Sequence, residues 1–232
     1  MPNSEPGRSG RRDDQARPFR TPAADKSGSP VTDRRKDPVR TPQPSSDHRR
    51  PFSPKRALAS ELLVLTDVVV SAPAVVFRAK GRPPQIRREL AKIMRDHTDC
   101  LILASMIDPV ADGVHLAGFD RYPKVYRGIV GRSCHGLDEV RRAELEGVDY
   151  VTISPVFETE SKPGYGPPLG LGGLGRIARQ AHVPVYALGG IDVGRVAACR
   201  DAGAAGVAVQ GAVARSSNPE ETIAALLDEW HS

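Results

Sequence analysis

Short runs of apolar, largely β-branched residues alternate with amphipathic segments from about residue 58 to the end of this chain. Eight such runs are candidate strands, at residues 62–66, 74–77, 100–104, 113–116, 128–133, 149–153, 184–188 and 206–209. Strands that alternate with helical segments form parallel sheets. Eight of them, with glycine-rich turns late in the chain, favour an α/β fold of the (β/α)8 TIM-barrel type over an open doubly wound sheet.

Helical segments are predicted between several of these strands. Pro83-Pro84 begins the first, and its periodicity places Ile86, Leu90, Ile93 and Met94 on one buried face. Further helices are predicted at 137–146, which Gly147 stops, at 174–181, and from the cap Asp192 to Gly203. In the last helix Asn218 is the expected N-cap, Pro219 the first helical residue and Glu221 the third.

The connections in the first half of the barrel are short. Few residues separate Asp67 from Ala74, and the stretches before Gly113 and Gly128 are also brief. A crossover helix between parallel strands needs about a dozen residues. The sequence therefore predicts a barrel with a shortened N-terminal half.

Residues 1–57 differ in composition from the rest of the chain. They are rich in Arg, Pro and Ser and contain 14 Lys+Arg against 7 Asp+Glu, whereas the rest of the chain carries a net charge of −2. Such a segment has too little apolar surface to offset the entropy of ordering. We therefore expect a disordered basic tail at 1–57 and a barrel domain at 58–232. The nearly neutral barrel gives no strong case for nucleic-acid binding.

The chain shows no signal peptide and no apolar run long enough to span a membrane. Its three cysteines are dispersed and lack metal-ligand spacing, which is typical of a reducing compartment. We expect a cytoplasmic protein without a membrane partner. The oligomeric state stays open, a homo-oligomer included.

Glycine-rich turns follow the seventh and eighth candidate strands. Gly189-Gly190 and Gln210-Gly211 lie where barrels often bind phosphate through backbone N–H groups at the start of a helix. The alternative is that these glycines only form tight turns. The coincidence of two such turns at these strands favours phosphate binding.

Two further strand ends carry polar side chains. The loop after the sixth strand contains Thr159, Ser161 and Lys162, which either close over an anionic ligand or are ordinary surface residues. At the fifth strand, alternation places Ser133 and His135 near the barrel mouth and turns Cys134 away. His135 is either a general acid/base or a helix-start histidine bonded to backbone.

Charged residues follow the second and fourth strands. Val76, Arg78 and Lys80 share one strand face, so two cations are expected to converge on an anionic ligand, unless the strand ends earlier and both are loop cations. Asp120 is a weak candidate for Mg²⁺, and His115 is expected to be a satisfied core histidine.

Several of these stretches together resemble the thiamine phosphate synthase/TenI family: GRSCH, VDYVTISPVFETESKPG, PVYALGGI, AGAAGVAVQGA, ADGVHL and FRAKG. The resemblance implies a barrel that binds a thiazole phosphate through Gly189, Gly190 and Gln210-Gly211. In the synthase branch, a pyrimidine pyrophosphate loses pyrophosphate with the help of Mg²⁺, and the thiazole nitrogen attacks the resulting cation. The positions implied there are Arg78, Lys80, Asp120, Ser133, Thr159 and Lys162. In the tautomerase branch, which needs no cofactor, His135 matches the acid/base that isomerises a thiazole carboxylate phosphate.

The chain departs from the synthase pattern at two strands. The family's Gln-x-Arg-x-Lys begins here with Val76, and Ala104-Ser105-Met106 stands where the synthase has Asn-Asp. A buried site rejects a ligand whose polar edge it leaves unpaired. These departures favour a TenI-like tautomerase with His135 and Lys162 as catalytic residues. The alternatives are a working thiamine phosphate synthase and a non-catalytic ligand-binding or regulatory homologue.

Overall fold

The computed structural model describes residues 58, 60–159 and 167–232. Eight parallel strands form a closed barrel in sequence order, in which the first strand pairs with the last. They are β1 (Leu62–Thr66), β2 (Ala72–Phe77), β3 (Thr98–Ala104), β4 (Gly113–Leu116), β5 (Ile129–Cys134), β6 (Tyr150–Ile153), β7 (Val185–Leu188) and β8 (Gly206–Val209). The expected TIM-barrel architecture is confirmed, and the shortened first half closes completely.

Six helices surround this barrel in the described part of the chain. They are α1 (Pro84–Arg95), α2 (Leu137–Glu146), α3 (Gly170–Gln180), α4 (Val193–Asp201), α5 (Gly211–Ala214) and α6 (Pro219–His231). Across those ranges, none is long and apolar enough to cross a membrane. β1, β3 and β4 are each followed by a loop without a helix, in agreement with the short connections in the sequence. Loop residues such as Met106, Val110 and Tyr126 pack against the core there.

Two helix ends follow the local sequence signals closely. α2 ends at Gly147, whose φ of 89° is the left-handed conformation that glycine adopts without steric cost. At the start of α6, the Asn218 side chain accepts from the Glu221 backbone N–H at 3.3 Å and donates to the Glu221 carboxylate at 3.1 Å. Asp192 takes the N-cap position of α4 but makes no capping hydrogen bond with its side chain.

The buried face of α1 differs from the expectation. Only Ala91 and Met94 are buried, whereas Ile86 is 47% exposed and Ile93 51% exposed. The periodicity of the apolar residues was therefore a poor guide to the face that packs. Arg88 and Arg95, which lie on the same side of the helix as Ala91, bond to Asp108 and Asp112 in the β3–β4 loop and orient the helix.

The barrel interior is filled by side chains. The Tyr150 ring occupies the space beside Gly131, where an added Cβ would lie 2.1 Å from the ring. Tyr186 similarly lies beside Gly206, and its hydroxyl donates to the Ser60 carbonyl at 2.7 Å. Because large side chains pair with glycines in this way, the lower barrel has no room for a ligand, and binding is confined to the mouth.

Candidate active site

An open cavity of about 1480 Å³ lies at the carboxyl ends of the strands. This is larger than the roughly 300–1,000 Å³ of a usual small-molecule cleft. Six basic side chains and four acidic ones line it: Arg78, Lys80, Arg132, Arg142, Arg195 and Arg215, with Glu139, Glu146, Glu158 and Asp192. The excess of cations suits an anionic ligand.

Arg78 is held at the mouth by two side chains. Its Nη2 donates to Asp67 Oδ2 at 3.0 Å, and its Nη1 donates to Gln210 Oε1. Its Nε is buried and has no hydrogen-bond partner in the described ranges. The guanidinium is thus oriented before any ligand arrives. Asp67 is not among the residues expected from the sequence, although it directly follows β1, at the carboxyl end of a barrel strand where active-site residues lie.

Lys80 also lines the cavity, but not through strand alternation. β2 ends at Phe77, and Ala79 has a left-handed φ of 42°, so the shared strand face expected for Val76, Arg78 and Lys80 does not continue to Lys80. Instead, the Lys80 backbone N–H donates to Asp67 Oδ1 at 3.0 Å. Asp67 therefore positions both cations at the cavity.

The turn after β7 is packed against the segment that follows β6. Gly189 and Gly190 have φ values of 99° and 65°. A Cβ on Gly189 would lie 2.9 Å from Pro155 Cα, and one on Gly190 would lie 2.3 Å from the Glu158 carbonyl oxygen. The two glycines are therefore required by their backbone conformation and by the close approach of residues 155–158. Both residues also line the cavity, as Gln210 and Gly211 do.

A buried hydrogen-bonded chain runs from the barrel interior to the cavity. His115 is 5% exposed, its Nδ1 lies 2.9 Å from the Tyr150 hydroxyl, and its Nε2 lies 2.9 Å from Ser133 Oγ. This confirms His115 as a satisfied core histidine. Burial, with a contribution from Arg132, lowers the pKa of His115 to about 4, so its ring is neutral near pH 7. Tyr150 was not foreseen, because only the closed barrel brings it to His115.

The stability of the protein should fall as this histidine is forced to ionise. The pKa of His115 is near 6.5 in the unfolded protein and about 4 in the folded protein. Between these two pH values the unfolded protein binds a proton at His115 and the folded protein does not, so lowering the pH favours unfolding. By pH 5 we expect a loss of about 2 kcal/mol relative to pH 7. Urea unfolding at both pH values should show this loss in the wild type and less of it in His115→Gln. Gly172→Ala in α3, which changes no ionisable group, is the control, and it should keep the wild-type pH dependence.

His135 lies at the cavity just after β5. Its backbone N–H donates to Glu139 Oε2 at 2.7 Å, and its Nδ1 lies 2.7 Å from the Ser154 carbonyl oxygen. A carbonyl oxygen only accepts, so this contact places a proton on Nδ1. His135 is thus bonded to backbone, as one of the two expectations had it, and it also lines the cavity. Its role as a general acid/base stays a prediction.

Asp120 has a structural role in the β4–β5 loop. Its Oδ2 accepts from the Ser105 hydroxyl at 2.5 Å and from the Ala117 N–H at 2.8 Å. Arg132 holds the same loop by donating to the carbonyl oxygens of Ala117, Gly118 and Asp120. The described residues contain no group of three His, Cys, Asp or Glu side chains able to hold a metal. One carboxylate that already accepts two hydrogen bonds does not form a Mg²⁺ site by itself.

The other residues singled out in the sequence lie partly at the cavity, partly in the core and partly outside the described ranges. Thr159 lines the cavity. Ser161 and Lys162 lie outside the described residues, and their roles stay predictions. Cys134 is fully buried, and burial raises the pKa of its thiol to about 12, which agrees with its predicted orientation away from the mouth.

Known proteins that resemble this chain in sequence share one description, that of thiamine phosphate synthases. A family model described as thiamine monophosphate synthase matches residues 72–213. A putative thiamine-phosphate synthase of Geobacter sulfurreducens is 36% identical over 167 residues, which cover 66% of this chain and 78% of that protein. A thiamine-phosphate synthase of Parasynechococcus marenigrum is 39% identical over 150 residues, which cover 60% of this chain but only 43% of the relative.

A solved structure supports the same relationship. Thiamine phosphate pyrophosphorylase from Pyrococcus furiosus superposes with a TM-score of 0.65 at 26% sequence identity. The match covers 74% of this chain and 95% of that one. The barrel therefore accounts for nearly all of that protein, whereas several sequence relatives extend well beyond the part that this chain matches.

Proposed function

Since this chain belongs to the thiamine monophosphate synthase family of thiamine biosynthesis, we propose that it forms thiamine phosphate. The thiazole nitrogen of a thiazole phosphate would bond to the methylene carbon of a pyrimidine pyrophosphate. The carbon–oxygen bond to pyrophosphate would break, and pyrophosphate would leave with the electron pair. The sequence relatives carry the name thiamine-phosphate synthase, and the solved structure carries the name thiamine phosphate pyrophosphorylase. These names support the synthase better than the tautomerase that the sequence favours.

The observation that carries the proposal is one large cavity lined by cations and glycine turns from three strand ends. Arg78 and Lys80 reach it after β2, and the glycine turns reach it after β7 and β8. Arg78 also donates to Gln210, so the β2 cations adjoin the β8 turn. The volume of about 1480 Å³ has room for two phosphorylated substrates side by side.

The β2 cations suit a leaving pyrophosphate. Negative charge develops on the bridging oxygen as the bond breaks, and donors fixed in advance stabilise such charge without reorganisation. Asp67 and Gln210 fix the Arg78 guanidinium, whose planar fork matches phosphate oxygens. Lys80 adds a compact charge beside it.

Ser133 is the member of the Tyr150–His115–Ser133 hydrogen-bonded series that has a neutral hydroxyl at the cavity. If the Tyr150 hydroxyl donates to His115 Nδ1, the ring proton lies on Nε2 and points to Ser133 Oγ. The Ser133 hydroxyl then keeps its own hydrogen for a substrate atom. Because burial keeps His115 neutral, this arrangement persists across the physiological pH range.

The test is direct formation of product. Purified full-length protein, hydroxymethylpyrimidine pyrophosphate, thiazole phosphate and Mg²⁺ should yield thiamine phosphate and pyrophosphate in equal amounts, measured by chromatography and a pyrophosphate assay. Omission of either substrate is the control. Absence of thiamine phosphate under these conditions would contradict the proposal.

A second candidate, thiazole tautomerase, is favoured by one observation. Val76 and Ser105 line the cavity at the strand ends where the family resemblance places an amide and a carboxylate that serve the pyrimidine and the metal. A tautomerase needs neither, and it needs a base such as His135. If the protein isomerises thiazole carboxylate phosphate, His135→Ala should slow this at least about 10²-fold while ligand binding survives. An unchanged rate in His135→Ala would remove this candidate's assigned base.

A further inference from the structure

An arginine within α4 and another directly after α5 each fold back onto the glycine turn that precedes the helix. Arg195 of α4 donates from Nη1 to the Gly190 carbonyl oxygen at 2.5 Å. Arg215, directly after α5, lies against Gly211, where an added Cβ would be 2.5 Å from its Nη1 and 3.0 Å from its Nη2. Both side chains line the cavity.

The contacts of Arg195 tie the β7 turn to the segment after β6. Arg195 Nε lies 3.6 Å from Asp192 Oδ2, and its guanidinium carbon lies 4.8 Å from the centre of the Phe157 ring. Arg215 lies at the β8 turn, and like Arg195 it is exposed and lines the cavity.

The choice of glycine at position 211 needs an explanation. Gly211 does not have a left-handed φ, and it begins a helix, where alanine is more favourable by up to about 1 kcal/mol. The contact that a Cβ would disturb first is the one with the Arg215 guanidinium. An alanine at position 211 would therefore move the flexible guanidinium, so the glycine permits the position that Arg215 takes.

We propose that Arg215 is a phosphate-binding residue that adds a guanidinium to the β8 turn and selects a phosphate monoester dianion. The assignment rests on the proposed function only in placing a phosphorylated substrate at this turn. A guanidinium offers two parallel N–H groups to phosphate oxygens, and such charge-assisted bonds are about twice as strong as neutral ones. Arg195 positions the neighbouring turn, whereas Arg215 contacts the ligand.

Binding of inorganic phosphate to the full-length protein tests this role without turnover. Calorimetric titration should show affinity about 10-fold or more lower for Arg215→Ala, and an intermediate loss for Arg215→Lys, which keeps the charge but not the fork. Arg176→Ala, an exposed arginine of α3 that does not line the cavity, is the matched control and should stay within about 2-fold. Equal phosphate affinity in Arg215→Ala and wild type would overturn the proposal.

A double-mutant cycle tests the explanation for Gly211. Gly211→Ala should weaken phosphate binding by displacing the guanidinium, and it should add little further loss in the Arg215→Ala background. Additive losses would mean that the new methyl group blocks the anion itself, and the explanation for Gly211 would be rejected.

The outcome is distinguishable from failure of the proposed reaction. Phosphate binding that depends on Arg215 without any thiamine phosphate formation would support the binding residue and reject the synthase activity. Thiamine phosphate formation with an unchanged phosphate affinity in Arg215→Ala would support the synthase activity and reject the binding residue.

Discussion

Replacing Gly190 by alanine should lower the free energy of unfolding by about 3 kcal/mol and reduce turnover by at least about 10²-fold. Gly190 has a φ of 65°, which costs an alanine about 1–2 kcal/mol. The new Cβ would also lie 2.3 Å from the Glu158 carbonyl oxygen and 2.8 Å from Phe157 Cβ, and overpacking of this kind costs a further 1–3 kcal/mol or so. The turn must shift, and a shift of about 1 Å at a reacting site is enough for the expected loss of rate. Urea unfolding and steady-state kinetics give the two quantities.

Gly172→Ala is the matched control for this variant. Gly172 lies in α3, has no left-handed φ, and has no atom within 4 Å of an added Cβ. Alanine there should leave turnover unchanged and stabilise the protein by up to about 1 kcal/mol. If Gly190→Ala were as stable as the wild type, residues 155–158 would not be packed against this turn as described.

Replacing Arg78 by alanine should reduce kcat/KM for the pyrimidine pyrophosphate by about 10²–10³-fold. Each hydrogen bond to a charged group is worth about 1.5–3 kcal/mol, and the fork offers two of them to phosphate oxygens. The change also leaves the Asp67 carboxylate without its ion pair beside the incoming anion, which adds repulsion. Because Asp67 is 41% exposed, the free energy of unfolding should change by less than about 1 kcal/mol.

Arg88→Ala is the matched control for Arg78→Ala. Arg88 makes an ion pair with Asp108 at the same distance, 3.0 Å, but it lies on α1 and does not line the cavity. Its removal should leave kcat/KM within about 2-fold of the wild type. Arg78→Lys should recover only part of the rate, since an ammonium lacks the planar fork. A fully active Arg78→Ala enzyme would remove the β2 cations from the mechanism.

Most of the candidate site could be located from the sequence, because active-site residues of such barrels lie at the carboxyl ends of the strands. Arg78, Ser133, His135 and the glycine turns all line the cavity, because parallel strands in a barrel bring their carboxyl ends to one mouth. The sequence did not reveal why the β7 glycines are there. They accommodate the backbone after β6, a contact between segments about thirty residues apart. Arg215 was also missed, because its contact with Gly211 depends on how α5 turns back.

The sequence by itself determined the eight strands, the end of α2 at Gly147 and the capped start of α6, together with the family. These are decided by neighbours along the chain, through β-branched runs, left-handed glycine and side-chain caps. Only the tertiary structure decided the exposure of Ile93, the pairing of Asp67 with Arg78, and the chain from Tyr150 through His115 to Ser133. Each of these depends on distances across the closed barrel, which periodicity along a single segment does not encode.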